Sequence, residues 1–368
     1  MKDVYTISNE ESQRIEIMKV IMCFGVCFVH SYSDRFAGLD CCGGGGSKLI
    51  SALTYFMSKI VCDSAVPTYF LVSSMLFYRS MKYTWKQNMV KKIRSLLVPY
   101  VIFNTLWILM MMMRIVLLDS PASSIPDYFS YSVFDWLNAY LGLVGECKPE
   151  LSLLWFLRDL FLLNILASVI KWLIDRLPKV MMIFNLIIWF GCISTYGENT
   201  YTLYGLHTYA LVLWIFGYYI VKYYIVKYDI HMKVMDRVNV WAATLAFVVA
   251  AILDFVIRWT LFHRLFILVA VLYVVKISKF LVPEGKMMRL LAPTTFFIYL
   301  THRFIYTIIG FFYENTVLTY SIMYFIKPMI GVLCGMLGYY ILKRICPGLL
   351  GILVGDRVTK CERSAGNI

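Results

Sequence analysis

The chain has 368 residues, of which 60% are hydrophobic and 15% charged, and its mean hydropathy is +0.71. An average soluble domain carries about 25% charged residues, so a water-soluble fold is a poor fit. The formal net charge of +13 gathers in short patches between apolar runs, as in cytoplasmic membrane loops and not as on a nucleic-acid surface.

The stretch 1–14 is polar and acidic and no small-residue cleavage pattern follows it, so the first apolar run is expected to stay as a membrane helix rather than leave as a signal peptide. Apolar runs near the spanning length of about 17 to 25 residues fall at 15–33, 58–78, 95–118, 151–171, 180–196, 203–222, 238–255, 261–278, 291–312 and 321–342. The segments 79–94, 171–179, 222–237 and 276–289 and the Lys343-Arg344 pair are basic. They alternate with 34–57, 119–150, 197–202, 256–260 and 313–320, and the long loop 119–150 is acidic. The positive-inside rule puts the basic set in the cytoplasm.

The sequence therefore predicts an all-α, polytopic integral membrane helix bundle of about ten transmembrane helices with both termini inside. Its parts are a cytoplasmic N-terminus 1–14, a transmembrane domain 15–343 and a cytoplasmic tail 344–368. The glycine run at 43–46 predicts a flexible loop. The loop 119–150 reads either as cover for an outward-facing cleft or as a plain connector.

Ionisable groups inside spans are costly and usually face a bundle interior or cavity. In the first run, Lys19 and His30 differ by about 20° around a helix and stand roughly 16 Å apart along it, with Glu16 about 40° from His30. Arg14 is nearly opposite His30 and reads as an interfacial anchor. Histidine is the side chain best placed to move a proton near neutral pH. A purely structural reading has Lys19 reaching the headgroups and His30 at the outer interface. In the fourth run, Arg158 and Asp159 are adjacent, do not share a helix face, and should each find a partner across the bundle. Arg158 suits a phosphate or a developing oxyanion, or else an interhelical ion pair. In the ninth run, His302 and Arg303 sit mid-span, where His302 has a hydrogen-bonding, proton-carrying or packing role. His207, His231 and His263 are less persuasive.

The ten cysteines are scattered and show neither metal-ligand nor disulfide-framework spacing. Cys147 has Cys41 or Cys42 as a conceivable partner outside the membrane. No metal is expected. Trp85, Trp107, Trp136 and Trp155 lie near span ends and read mainly as interfacial belt residues.

Four stretches together resemble the acyltransferase 3 family of bacterial integral membrane O-acyltransferases. They are Lys19 and His30 with ten residues between them and Glu16 upstream, PTYFLVSSMLFYR at 67–79, KKIRSLLVPY at 91–100, and LWFLRDL at 154–160 followed by FFIYLTH at 296–302. The resemblance runs from about residue 12 to 343. Two positions depart from it: Lys19 stands where many members have arginine, and Ser74 where glycine is usual.

The resemblance implies a bacterial inner-membrane enzyme that transfers an acyl group from cytoplasmic acetyl-CoA or another acyl-CoA. The acceptor would be a hydroxyl on an extracytoplasmic or lipid-linked glycan. On that basis His30 becomes general base or acyl relay, with Glu16 as the upstream acid on the same stripe of the helix, and Arg158 or His302 stabilises charge on the thioester oxygen. Lys19, Arg94, Lys91, Lys92 and Arg14 become contacts to the anionic coenzyme. Membrane lipids are the remaining partners, nucleic acid is not one, and homo-oligomerisation is compatible with the sequence. The competing reading is a polysaccharide polymerase, flippase or transporter without acyl transfer. The acidic, arginine-poor outer loops argue against it.

Overall fold

The structure, a computed structural model, describes residues 9–33, 45–79, 85–118, 126–145, 147–191, 202–203, 206–225, 231–281, 286–312 and 317–355. Cys41 and Cys42, and with them the disulfide option for Cys147, lie outside the described residues.

In chain order the helices are α1 (Asn9–Ser31), α2 (Gly45–Tyr55), α3 (Ala65–Arg79), α4 (Trp85–Lys92), α5 (Val98–Leu118), α6 (Val133–Leu141), α7 (Trp155–Arg176) and α8 (Pro178–Gly191). They continue with α9 (Thr208–Tyr219), α10 (His231–Arg237), α11 (Val240–Ile257), α12 (Thr260–Ile277), α13 (Lys286–Leu291), α14 (Thr295–Ile309), α15 (Val317–Ile345) and α16 (Pro347–Val354). Two-residue strands β1 (Thr202–Leu203) and β2 (Leu206–His207) pair antiparallel between α8 and α9. Helices suit these runs because a chain in hydrocarbon must satisfy every backbone polar group internally.

The described residues of each apolar run are mostly helical, and the sixth run opens on the β1–β2 pair before its helix starts at Thr208. Among the described residues, six helices combine the length and apolarity needed to cross a membrane: Lys48–Arg79, Lys86–Leu117, Ser152–Arg176, Val240–Ile257, Thr260–Ile277 and Leu318–Ile345. Two of them run through local π-helical turns, Phe56–Val61 and Ile93–Leu97. α8 is apolar but has only 14 residues, and α1 carries Arg14, Glu16 and Lys19 in its first half. The protein is thus an all-α polytopic membrane bundle with about six clear spanning helices, where apolar runs alone suggested ten.

Two expected loops contain ordered structure. Helix begins at Gly45 within 34–57. Within 119–150, a 3-10 turn (Tyr128–Ser130) and α6 form a small cap. Ser132 and Asp135 close a reciprocal capping box at the start of α6, which satisfies two otherwise orphaned backbone donors. The basic segment 79–94 is likewise helical from Trp85 onward.

The chain divides into two compact units. In the first, residues 1–82, 173–200 and 212–341, α1 is packed on several sides. Met18, Met22 and Val26 meet Ala65 of α3 and Val274 of α12. Cys23 and Cys27 meet Ile298 of α14 and Val332 of α15. The second unit comprises 83–172, 201–211 and 342–368. In it the cap packs Tyr128, Tyr131 and Trp136 against Trp107, Ile108 and Met111 of α5.

Candidate functional site

Because α1 is unbroken from Asn9 to Ser31, Lys19 and His30 keep the separation of about 16 Å that helical rise imposes. Glu16 and Lys19 are half-buried, and the Lys19 carbonyl accepts a hydrogen bond of 2.7 Å from Tyr69 of α3. His30, half-buried in the last turn, meets His302 of α14 with ring centroids 5.3 Å apart.

His302 is fully buried, at 0% exposure. Its Nδ1 lies 3.1 Å from the Ile298 carbonyl oxygen. A carbonyl only accepts, so Nδ1 carries the proton, and Nε2 of the neutral ring is a lone-pair acceptor. Among the described residues that Nε2 has no hydrogen-bond partner. Tyr306 stands edge-on at 5.4 Å and donates its hydroxyl to the Cys27 carbonyl at 3.1 Å, which ties α14 to α1 beside the two imidazoles. Arg303, next in sequence, makes no hydrogen bond or ion pair through its guanidinium among the described residues.

At the other end of α1, Glu11 and Arg79 of α3 form a two-pronged ion pair. A small apolar cavity lies there, lined by Ile15, Met18, Val72, Met75 and Val275 together with that pair. Arg14 is not an interfacial anchor. It is 2% exposed, and it donates to Ser278 Oγ at 3.3 Å, Asp236 Oδ2 at 3.0 Å and the Val275 carbonyl at 2.8 Å. Taking so many donors out of water is tolerable only when each finds an acceptor, and here acceptors on two other segments fix the start of α1.

In the second unit, Lys91 on α4 and Arg94 in the following π turn are exposed, and Lys92 is half-buried. These three cations lie on a helical stretch and not in a loop.

Arg158 and Asp159 pair with each other, contrary to the expectation from helix faces. Arg158 donates from Nε and Nη2 to Asp159 Oδ1 at 3.0 and 2.9 Å. The long arginine side chain folds back from the first turn of α7. Its Nη1 then reaches the carbonyls of Leu141, Gly142 and Cys147 at 2.7, 3.0 and 3.0 Å. Gly142 has φ +57°, and a Cβ there would come within 2.6 Å of the Lys148 backbone and 2.8 Å of Arg158 Nη1. Only glycine fits a left-handed position so closely approached.

Two histidine clusters escaped the sequence reading. His207 Nδ1 lies 2.6 Å from Asp159 Oδ2, which also accepts the His207 backbone N–H at 2.9 Å. His263 is held between Asp254 (Nδ1 to Oδ2, 2.7 Å) and Asp63 (Nε2 to Oδ2, 3.0 Å), joining α12, α11 and the turn Cys62–Ser64. Asp159 is 48 residues away from His207, and Asp63 and Asp254 are 200 and 9 away from His263, so no helical spacing announces them. Among the described residues no group of three His, Cys, Asp or Glu side chains is placed to hold a metal ion.

Outside the spans, the hydroxyl and backbone N–H of Ser132 hold the Asp135 carboxyl below its ordinary range. Burial, with Glu150 beside it, pushes the Tyr131 phenol up to about 12.

The chain is similar to the succinoglycan biosynthesis protein ExoH of Rhizobium meliloti (strain 1021), with 22% identity over 96% of this chain and 94% of the relative. No solved structure matches it significantly. The family model described as an acyltransferase domain, Acyl_transf_3, covers residues 12–344, and with nearly its whole length matched the protein belongs to the acyltransferase 3 family of multi-pass membrane acyltransferases.

Proposed function

We propose that this acyltransferase moves an acyl group, acetyl in the simplest case, from a cytoplasmic acyl-CoA to a hydroxyl of an extracytoplasmic or lipid-linked glycan. The observation that carries the reading is the His30–His302 pair, 5.3 Å between rings, at one end of the helix that bears Lys19. A glycan acceptor is supported by the relative's link to succinoglycan biosynthesis. The alternation of basic and acidic segments supports ten crossings, with both ends in the cytoplasm.

In this scheme Lys19 and the exposed Lys91 and Arg94, with Lys92, attract the coenzyme phosphates. His30 takes the proton from the acceptor hydroxyl as its oxygen attacks the thioester carbonyl, and coenzyme A leaves as the thiolate. Glu16 shares the face of α1 that bears Lys19. His302, with a lone pair at Nε2, is better suited to pass that proton on than to donate to an oxyanion. The unengaged Arg303 is the better group for oxyanion charge. Arg158 and Arg14 already spend their donors on protein acceptors, so the scheme gives them positioning roles.

The test is transfer of labelled acetyl from acetyl-CoA to cell-envelope glycan fractions by the purified full chain. We expect transfer by the wild type and a loss of at least about 10²-fold in His30→Ala, the range for a general base. Absence of transfer by the wild type would remove acyl transfer to glycans. Undiminished transfer by His30→Ala would remove the role of His30. Movement of intact glycan without transfer would favour a flippase or polymerase.

A further inference from the structure

The second unit contains an imidazole that neither its packing nor the scheme above uses. Asp159 is fully buried, at 0% exposure. One of its oxygens is neutralised by Arg158, and the other receives both the Nδ1 and the backbone N–H of His207. A carboxylate oxygen only accepts, so Nδ1 of His207 carries a proton, and in that tautomer of the imidazole Nε2 presents a lone pair. His207 is 1% exposed, and Nε2 has no hydrogen-bond partner among the described residues. Burying such an acceptor unpaired is unfavourable. Yet Asp159 Oδ2 holds the residue by two bonds, one from the ring and one from its backbone N–H, which is the arrangement that fixes a tautomer and aims the distal nitrogen.

The ring is flanked by aromatic faces. Trp155 lies 4.2 Å from His207 between centroids, Tyr209 lies 6.1 Å from it, and Trp155 and Tyr209 are 5.7 Å apart. Both flanking rings are only half-buried. A fixed acceptor nitrogen beside partly accessible aromatic rings matches the two faces of a sugar: hydroxyls that donate, and C–H faces that stack on aromatic rings.

We propose that the Asp159–His207 pair, with Trp155 and Tyr209, is a subsite for the acceptor glycan, in which a sugar hydroxyl donates a hydrogen bond to His207 Nε2. This rests on the glycan acyl-transfer reading. It differs from the role of His30 in requiring binding only, with no proton passed on.

The experiment uses the full chain in detergent with acetyl-CoA and alkali-de-esterified cell-envelope polysaccharide as the probe. Acceptor KM, donor KM, acetyl-CoA hydrolysis without acceptor, and melting temperature are measured for wild type, His207→Ala, His207→Gln and Asp159→Asn. We expect acceptor KM to rise about 10-fold in His207→Ala, as for loss of one buried hydrogen bond, with donor KM and hydrolysis unchanged. Asp159→Asn should follow in the same direction. Should His207→Ala fail to fold, the smaller change to His207→Gln is read by the same split. Unchanged acceptor KM in a folded variant overturns the proposal, and so does an equal rise in donor and acceptor KM. A wild type that transfers no acyl group defeats the parent reading instead, and is distinguished before any variant is made.

Discussion

Ser74 shows how one side chain can be accommodated by another far along the chain. It stands on α3 where the family resemblance would place glycine, and its hydroxyl donates to the Trp214 carbonyl at 2.6 Å. Opposite it is Gly217, where a Cβ would lie 2.5 Å from the Ser74 Cβ. The close approach of α3 and α9 is thus kept by moving the small residue to the partner helix. Gly217→Ala should destabilise the protein by about 1–3 kcal/mol through overpacking, and Ser74→Gly in the same chain should restore most of it; thermal unfolding in detergent measures both. Arg158→Ala should cost about 3–5 kcal/mol, because it leaves Asp159 buried with one partner fewer and frees the carbonyls of Leu141, Gly142 and Cys147. Arg303→Ala should instead leave the melting temperature almost unchanged while lowering turnover. A reversed pattern would exchange the roles given to the two arginines.

At the scale of elements, the cap over 126–145 depends on its capping box. The Asp135 carboxyl is held below its ordinary range by Ser132. A carboxyl whose folded value is depressed adds stability that is present above its unfolded value, near 4, and is lost as pH falls through the folded one. Hydrogen-exchange protection of α6 should therefore be full at neutral pH and decline below about pH 4, and Ser132→Ala should lose about five-fold protection already at neutral pH. How much of this the sequence discloses depends on the kind of signal. The apolar runs disclose helices because hydrocarbon solvent leaves little else. The pairing of Lys19 with His30 on one face follows from their spacing alone. The capping box is legible in principle, as Ser132 followed three residues later by Asp135, although nothing in that spacing says what the short helix packs against. The placements of His207 and His263 were not legible, since each is decided by a carboxylate on a different segment. Nor was the Arg158–Asp159 bond, because helix-face geometry ignores how far an arginine can fold back.

For the whole molecule, orientation is the property on which the proposed chemistry depends, and it is open to direct test. In a cysteine-free background, a cysteine replacing Lys91 should react with an impermeant maleimide only after the inner face is exposed. One replacing Val133 should react in intact cells. The opposite result would place the cations proposed to hold the coenzyme on the wrong side and overturn the proposed transfer direction. The chain's far end bears on the same region. α16 buries Leu350 and Val354 in the second unit, and Gly355 rests against the backbone of Arg94 and Ser95. α16 and Gly355 thus buttress the segment that presents Lys91 and Arg94. On the proposed donor-binding role of Lys91 and Arg94, an affinity tag fused directly at Val354, or a deletion of Pro347–Val354, should raise the donor KM although neither change touches those two cations.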